Sequence, residues 1–264
     1  MPVDDPIEFD HAFETHLRVA VSGANGRMGR EVVQAVTGAK GMEVVAQIEQ
    51  GDDLADALGR AGAEALVDFT TPSSVLENTL IALRAGVVPV VGTTGLAADA
   101  MEQIRSVCRD VKIGALIAPN FALGAVLMMR FAAEAARYFP DAEIVEMHHE
   151  KKIDSPSGTA ILTARRIAEG RGDLSPLPPP DGAHGQPGAR GAAGAGDVPI
   201  HSVRLPGFVA SQFVTFGGLG QTLTIRHDTL DRTSFMPGVL LALRQTARIR
   251  AAGDVIYGLE NLLD

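Results

Sequence analysis

Cysteine is nearly missing from this chain: Cys108 stands alone among 264 residues. No intrachain disulfide can form, which fits a reducing compartment. Long apolar runs are missing too. None reaches the roughly 18 residues that span a bilayer, so no membrane-spanning helix is expected. Basic charge is scarce, with 23 Lys and Arg against 32 Asp and Glu and a net charge of −9. That balance argues against general nucleic-acid binding, which needs a basic footprint to displace counterions. It also argues against docking on anionic membranes. Residues 1–16 are polar and acidic and lack the basic start and apolar centre of a signal peptide. They read as a loose extension, and a cytoplasmic setting is expected.

What is present suits a globular chain of two modest domains. In the first half, strand-like and helix-like segments alternate. Strands are expected at Leu17–Ser22, Glu43–Ile48, Ala65–Phe69, Val87–Val91 and Lys112–Ala118. Helices are expected at Arg27–Ala39, after Thr70-Thr71-Pro72 and ending near Gly86, and at Ala97–Arg109. Such alternation implies crossover connections and a parallel sheet. The strands are almost continuous in Val, Ile, Leu and Ala, as when helices cover both faces. After Asn120 the pattern changes. A helix is expected at Ala122–Tyr138, a strand at Glu143–His148 and a capped helix at Ser157–Glu169. Residues 170–199, rich in Gly, Pro and Ala, read as a long mobile loop. Strands at Ile200–Leu205, Val209–Phe216 and Thr222–Arg226 follow, with Gly217, Gly218 and Gly220 in the last turn. Consecutive strands predict a mixed or antiparallel sheet and a second, α+β domain. One helix, Phe235–Arg248, is expected to close the chain.

Gly23, Gly26 and Gly29 lie between the first strand and first helix, in Gly23-Ala24-Asn25-Gly26-Arg27-Met28-Gly29. Glycines there permit a tight turn and close approach of a pyrophosphate, and the helix start offers unpaired N–H groups. The position makes the α/β domain one of Rossmann type, although a tight turn without ligand is the competing reading. Glu49 ends the second strand. A carboxylate there accepts hydrogen bonds from ribose hydroxyls and repels a 2′-phosphate. Gln50 puts no arginine beside it, and Arg27 compensates only in part. The reading leans to NADH, with NADPH or dual use as the alternative. A solvated acid at a strand end explains Glu49 equally well. Gly92-Thr93-Thr94-Gly95 and Ala118-Pro119-Asn120-Phe121 also sit at strand C-termini, where open α/β sheets bind ligands. Ordinary turns account for them as well.

The densest chemistry lies at Glu146-Met147-His148-His149-Glu150-Lys151-Lys152-Ile153-Asp154-Ser155-Pro156-Ser157-Gly158-Thr159-Ala160. His and Lys serve as proton donors near neutrality. The Gly158 and Thr159 N–H groups, at a helix start, can hold a carboxylate. This locally basic patch in an acidic chain suits an anionic substrate. A solvated charge cluster is the bland reading. A metal is not expected: the His-His-Glu spacing is not that of a helical zinc site, and the lone cysteine offers no partner.

With that segment in view, the chain resembles the dihydrodipicolinate (4-hydroxy-tetrahydrodipicolinate) reductases of bacterial lysine biosynthesis, nearest to the actinobacterial branch. The pattern E-x-H-H-x-x-K-x-D-x-P-S-G-T-A is intact at Glu146–Ala160, and the glycine turn, Asp68-Phe69-Thr70, Gly92–Gly95, Ala118–Phe121 and Leu223–Leu240 match in order. The resemblance implies hydride transfer from a nicotinamide to an anionic dicarboxylate ring. It implies His148 and Lys152 as the acid/base pair, and His149, Gly158 and Thr159 as substrate-binding residues. Gly23, Ala24, Asn25, Gly26, Arg27, Met28, Glu49, Gly92, Thr93, Thr94, Ala118, Pro119, Asn120 and Phe121 match cofactor-binding positions. It further implies that 235–264 joins 17–121 in the nucleotide domain, that 122–234 binds substrate and assembles a homotetramer, and that the domains close by a hinge. Two alternatives stand beside it: another two-domain reductase, such as one acting on an amino-acid aldehyde, and a nicotinamide-binding sensor without catalysis.

Overall fold

The computed structural model describes residues 16–177 and 188–263. The expected N-terminal extension and the middle of the 170–199 segment therefore lie largely outside the described residues. The chain forms two compact units. One runs to Ala122 and resumes at Phe235; the other is Leu123–Ser234.

In the first unit, β1 (Leu17–Ser22), β2 (Met42–Ile48), β3 (Ala65–Asp68), β4 (Val88–Val91) and β5 (Ala115–Ile117) alternate with α1 (Arg27–Gly38), α2 (Leu54–Ala61), α3 (Val75–Arg84) and α4 (Ala98–Val111). Every residue of β3 and β4 is buried, which is the reason those runs carry no polar alternation. The sequence reading assigned no element between Ile48 and Ala65, yet α2 forms there. Asp53 caps it by accepting the Asp56 N–H at 3.0 Å, and Leu54 and Leu58 bury one face, one turn apart. Gly62 ends it in a left-handed conformation.

In the second unit come α5 (Leu123–Ala136), β6 (Asp141–His148), α6 (Gly158–Arg171), β7 (Ala192–Ala193), β8 (Pro199–Arg204), β9 (Ala210–Gly218) and β10 (Gln221–Thr229). Residues 170–199 are thus not loop throughout. α6 reaches Arg171, whose guanidinium donates to the Gly196 carbonyl at 2.6 Å. The chain there makes a 3-10 turn at Ala195–Asp197, and β7 pairs antiparallel with β8. Gly217 and Gly218 belong to β9, and the hairpin turn is Leu219-Gly220 alone. Gly220 takes a positive φ of 69°, a conformation open to glycine without steric cost.

Back in the first unit, the expected single closing helix is two, α7 (Met236–Arg244) and α8 (Thr246–Ala252). They break at Gln245, whose side chain donates to the Leu262 carbonyl at 2.8 Å. The Thr246 hydroxyl takes the Leu243 carbonyl at 2.6 Å. A further short strand, β11 (Val255–Tyr257), had no periodic run to announce it. It adds parallel to β5, and the Arg105–Asp254 ion pair at 3.0 Å fastens its start to α4.

The first unit's sheet is six-stranded and parallel throughout, in the order β11-β5-β4-β3-β1-β2. The order reverses between β1 and β3, so the ligand crevice of such a sheet falls at their C-terminal ends. The second unit's sheet is five-stranded and mixed, β10-β9-β6-β8-β7, with β6 and β8 the parallel pair. Its core gathers Ile144, Val214 and Phe216 from the sheet with Ala160, Ala164 and Ile167 from α6. That packing seats the start of α6 against the end of β6. No helix among the described residues is long and apolar enough to cross a membrane.

Candidate active site

The glycine turn lies at the switch point. Gly23 has a φ of 75° and donates its N–H to the Ile48 carbonyl at 2.8 Å, joining the turn to β2. A Cβ on Gly29 would lie 2.0 Å from the Gly23 carbonyl oxygen, so this position has no room for a side chain. α1 starts with no side-chain cap and no acid in its first turn. A bare, uncapped turn running into a helix start fits a pyrophosphate. Glu49 Oε1 accepts the Asn25 N–H at 2.5 Å, and Asp52 accepts the Glu49 N–H at 2.8 Å. Glu49 is thereby fixed against the turn, with Gly23–Met28 beside it.

The other two candidate loops also meet. A Cβ on Gly92 would stand 2.1 Å from the Phe69 ring, and that ring packs 5.8 Å from the Phe121 ring. The Ala118 N–H donates to Val91 at 3.0 Å, and Asn120 Oδ1 accepts the Ala122 N–H at 2.8 Å. Pro119 and Thr94 are exposed, while Thr93 is buried. Beneath these loops lies Asp68, whose part in the site no local sequence pattern announces. Its carboxylate accepts from the hydroxyls of Thr70 at 2.8 Å and Thr93 at 2.7 Å, and from the Asn78 amide at 2.8 Å.

In the second unit the reactive segment folds around Glu146, which is fully buried. Glu146 and His148 share one face of β6, two residues apart, and Glu146 Oε2 meets His148 Nδ1 at 2.5 Å. β8 pairs parallel with β6 in a register that sets Arg204 opposite His148. The two terminal guanidinium nitrogens of Arg204 donate to the two Glu146 oxygens, each at 2.8 Å. The Ser157 N–H donates to Oε1 at 3.2 Å, while the Ser157 hydroxyl caps α6 by accepting the Ala160 N–H at 3.2 Å. Gly158 and Thr159 therefore open α6 directly beside the buried carboxylate. Burial opposes the charge on Glu146, but hydrogen bonds from His148, Arg204 and Ser202 outweigh it and hold the carboxyl at about 2.

Lys152 meets a different carboxylate. Its ammonium donates to both oxygens of Asp154, at 2.7 and 2.8 Å, and this pairing keeps the Asp154 carboxyl below its ordinary range. The Lys152 N–H turns back to the His149 carbonyl at 3.1 Å, so His149 lies in the turn just past β6, half-buried. Arg204 was missed by the sequence reading. It stands 58 positions from Glu146, and only the parallel register of β6 and β8 brings it in. Glu146 had a signal, its strand-period spacing from His148.

A parallel nucleotide-type sheet with a glycine turn, in a chain whose second unit carries histidine and lysine in carboxylate-buttressed positions, defines a pyridine-nucleotide-dependent oxidoreductase. Residues 17–121 match the description "Dihydrodipicolinate reductase, N-terminus" and residues 124–263 match "Dihydrodipicolinate reductase, C-terminus", and the chain belongs to that family. A 4-hydroxy-tetrahydrodipicolinate reductase of Coxiella burnetii is 46% identical, over 94% of this chain and 99% of the relative. One of Desulfitobacterium hafniense is 47% identical with the same coverage. Among solved structures, a dipicolinate-bound dihydrodipicolinate reductase from Paenisporosarcina sp. TG-14 is 40% identical, covers 94% of this chain and 100% of its own, and superposes with a TM-score of 0.84. None of these sources is actinobacterial, so the expected nearness to the actinobacterial branch has no support in them.

Proposed function

We propose that this chain reduces 4-hydroxy-tetrahydrodipicolinate, or its dehydrated form dihydrodipicolinate, to tetrahydrodipicolinate in the diaminopimelate route to lysine. The observation that carries the reading is the Glu146–Ala160 segment, folded so that one buried carboxylate backs His148 and the start of α6. When bound, the nicotinamide supplies the hydride. The ring nitrogen side then gains negative charge, which Lys152 or His148 neutralises with a proton. His149 and the α6 start at Gly158 and Thr159 take the substrate carboxylates, since that helix end presents N–H donors to an anion. The dipicolinate in the Paenisporosarcina relative supports a planar dicarboxylate as the ligand class.

Gly23, Ala24, Asn25, Gly26, Arg27 and Met28 hold the pyrophosphate in this reading, and Glu49 takes the ribose hydroxyls. Gly92, Thr93 and Thr94 with Ala118, Pro119, Asn120 and Phe121 flank the nicotinamide. Glu49 is fixed to Asn25 and is followed by neutral Gln50, which favours NADH over NADPH. Assembly as a homotetramer through the second unit's sheet belongs to the same reading. β10 is the outer strand there and exposes Leu223, and an open strand edge invites pairing.

The deciding experiment follows NADH and NADPH oxidation with substrate made in situ by the preceding synthase from pyruvate and aspartate semialdehyde. Synthase-dependent oxidation supports the reaction, and the two rates rank the cofactors. Folded, nucleotide-binding protein that oxidises neither would point to a sensor or to another imine.

A further inference from the structure

We infer that Arg204 is a positioning residue for this reduction, because one guanidinium from β8 holds both the carboxylate behind His148 and the backbone carbonyl beside Lys152. The inference rests on the proposed roles of His148 and Lys152. Arg204 donates to Glu146 Oε1 and Oε2 at 2.8 Å each, and from the Oε1-facing nitrogen it also reaches the Asp154 carbonyl at 2.6 Å. Asp154 in turn holds the Lys152 ammonium through both carboxylate oxygens. The two proton-donating groups are thus referred to one rigid fork, although each meets its own acid. The fork's geometry matters more than its charge: a lysine there would be a point charge unable to span two carboxylate oxygens and a carbonyl together.

The contact has a chemical consequence at His148. An ionised carboxylate can only accept, so a hydrogen bond from the ring to Glu146 requires the proton on Nδ1. Nε2 is then the nitrogen left for exchange with substrate. The ionisable groups against Glu146 are His148 and Arg204, with Ser202 and the Ser157 N–H as neutral donors. Arg204 keeps the carboxylate ionised and in plane, and so keeps the histidine in that one tautomer.

Two measurements test this. The first is nitrogen NMR of 15N-histidine in the unaltered protein, with the His148 signals assigned by their loss in His148→Gln. Nδ1 protonated with Nε2 bare when the ring is neutral is expected. A neutral ring protonated on Nε2 would overturn the inference without any variant having to fold. The second is Arg204→Lys in the synthase-coupled assay. Turnover is expected to fall about tenfold or more, with NADH affinity retained and the His148 tautomers mixed. Unchanged turnover overturns the inference. His148→Gln and Lys152→Ala run alongside: if both keep parental turnover, the acid/base reading itself fails. If they lose turnover while Arg204→Lys does not, only the positioning role falls.

Discussion

The Thr93 hydroxyl donates to the buried Asp68 carboxylate at 2.7 Å and accepts the Thr70 N–H at the same distance. One acid therefore ties the loop after β3 to the loop after β4. Asp68→Ala would remove the acceptor of the short bonds from two hydroxyls and the Asn78 amide, leaving Thr93 and Asn78 only contacts at 3.4 Å. A loss of about 1–3 kcal/mol in denaturant unfolding is expected, the range for stranding buried polar groups. Weaker NADH binding by fluorescence titration should accompany it. An unchanged titration would show that the Gly92–Thr94 loop does not depend on Asp68.

Glu146 predicts a particular acid lability. Its folded carboxyl sits at about 2 against an ordinary value of 4.5. The native state therefore binds its proton less readily than the unfolded chain. The stabilisation is complete above the unfolded value and is lost as pH falls through the folded one. It amounts to about 3 kcal/mol. Unfolding free energies measured from about pH 5 down to about pH 2 should decline accordingly, and Glu146→Gln should flatten that decline. Parallel curves for parent and variant would place the lability elsewhere.

Much of the first unit was readable because its strands are apolar on both faces and its helices carry periodic apolar stripes. α2 was also readable in principle, from Asp53, Leu54, Leu58 and Gly62, but its eight residues are too short for periodicity alone to announce it. β11 was not: its three residues form a strand only because β5 offers an edge. The α7–α8 break turns on Gln245 meeting Leu262, a contact no local rule anticipates. The site divides the same way. Glu146 and His148 are neighbours by strand period, whereas Arg204 enters through the register of two parallel strands whose paired residues lie 56 positions apart.

Glu49 should set cofactor choice. Its tie to the Asn25 N–H fixes the carboxylate where a 2′-phosphate would meet like charge. Glu49→Ala is expected to raise the KM for NADH more than that for NADPH. The ratio of kcat/KM values for the two nucleotides reads this directly. An unchanged ratio would assign the preference to other residues, Arg27 foremost.

Lys152→Ala should separate chemistry from binding. The ammonium is held by Asp154, within the second unit, whereas the glycine turn belongs to the first. Turnover is expected to fall about 100-fold or more, the usual contribution of a positioned proton donor. NADH affinity should be retained. Single-turnover rates under saturating nucleotide check this, and a parental rate would remove Lys152 from the proposed pair.

Gly29 offers the sharpest test of the nucleotide cradle. It is buried in the first turn of α1, and an alanine Cβ there would stand 2.0 Å from the Gly23 carbonyl oxygen and 2.8 Å from the Ala24 Cα. Both obstacles are backbone, so no side chain can swing aside. The helix start and the turn must move apart, at a cost of about 1–3 kcal/mol by the usual penalty for overpacking. That displacement falls on the N–H groups proposed to hold the pyrophosphate. Gly29→Ala should therefore lower the thermal midpoint and abolish NADH and NADPH binding alike, in contrast to the selective effect at Glu49. Gly38 has nothing within 4 Å of an added Cβ and lies at the far end of the same helix, so Gly38→Ala is the control. It should leave nucleotide affinity intact. Equal losses in the two variants would mean that the helix as a whole, rather than the close approach at Gly29, governs the site.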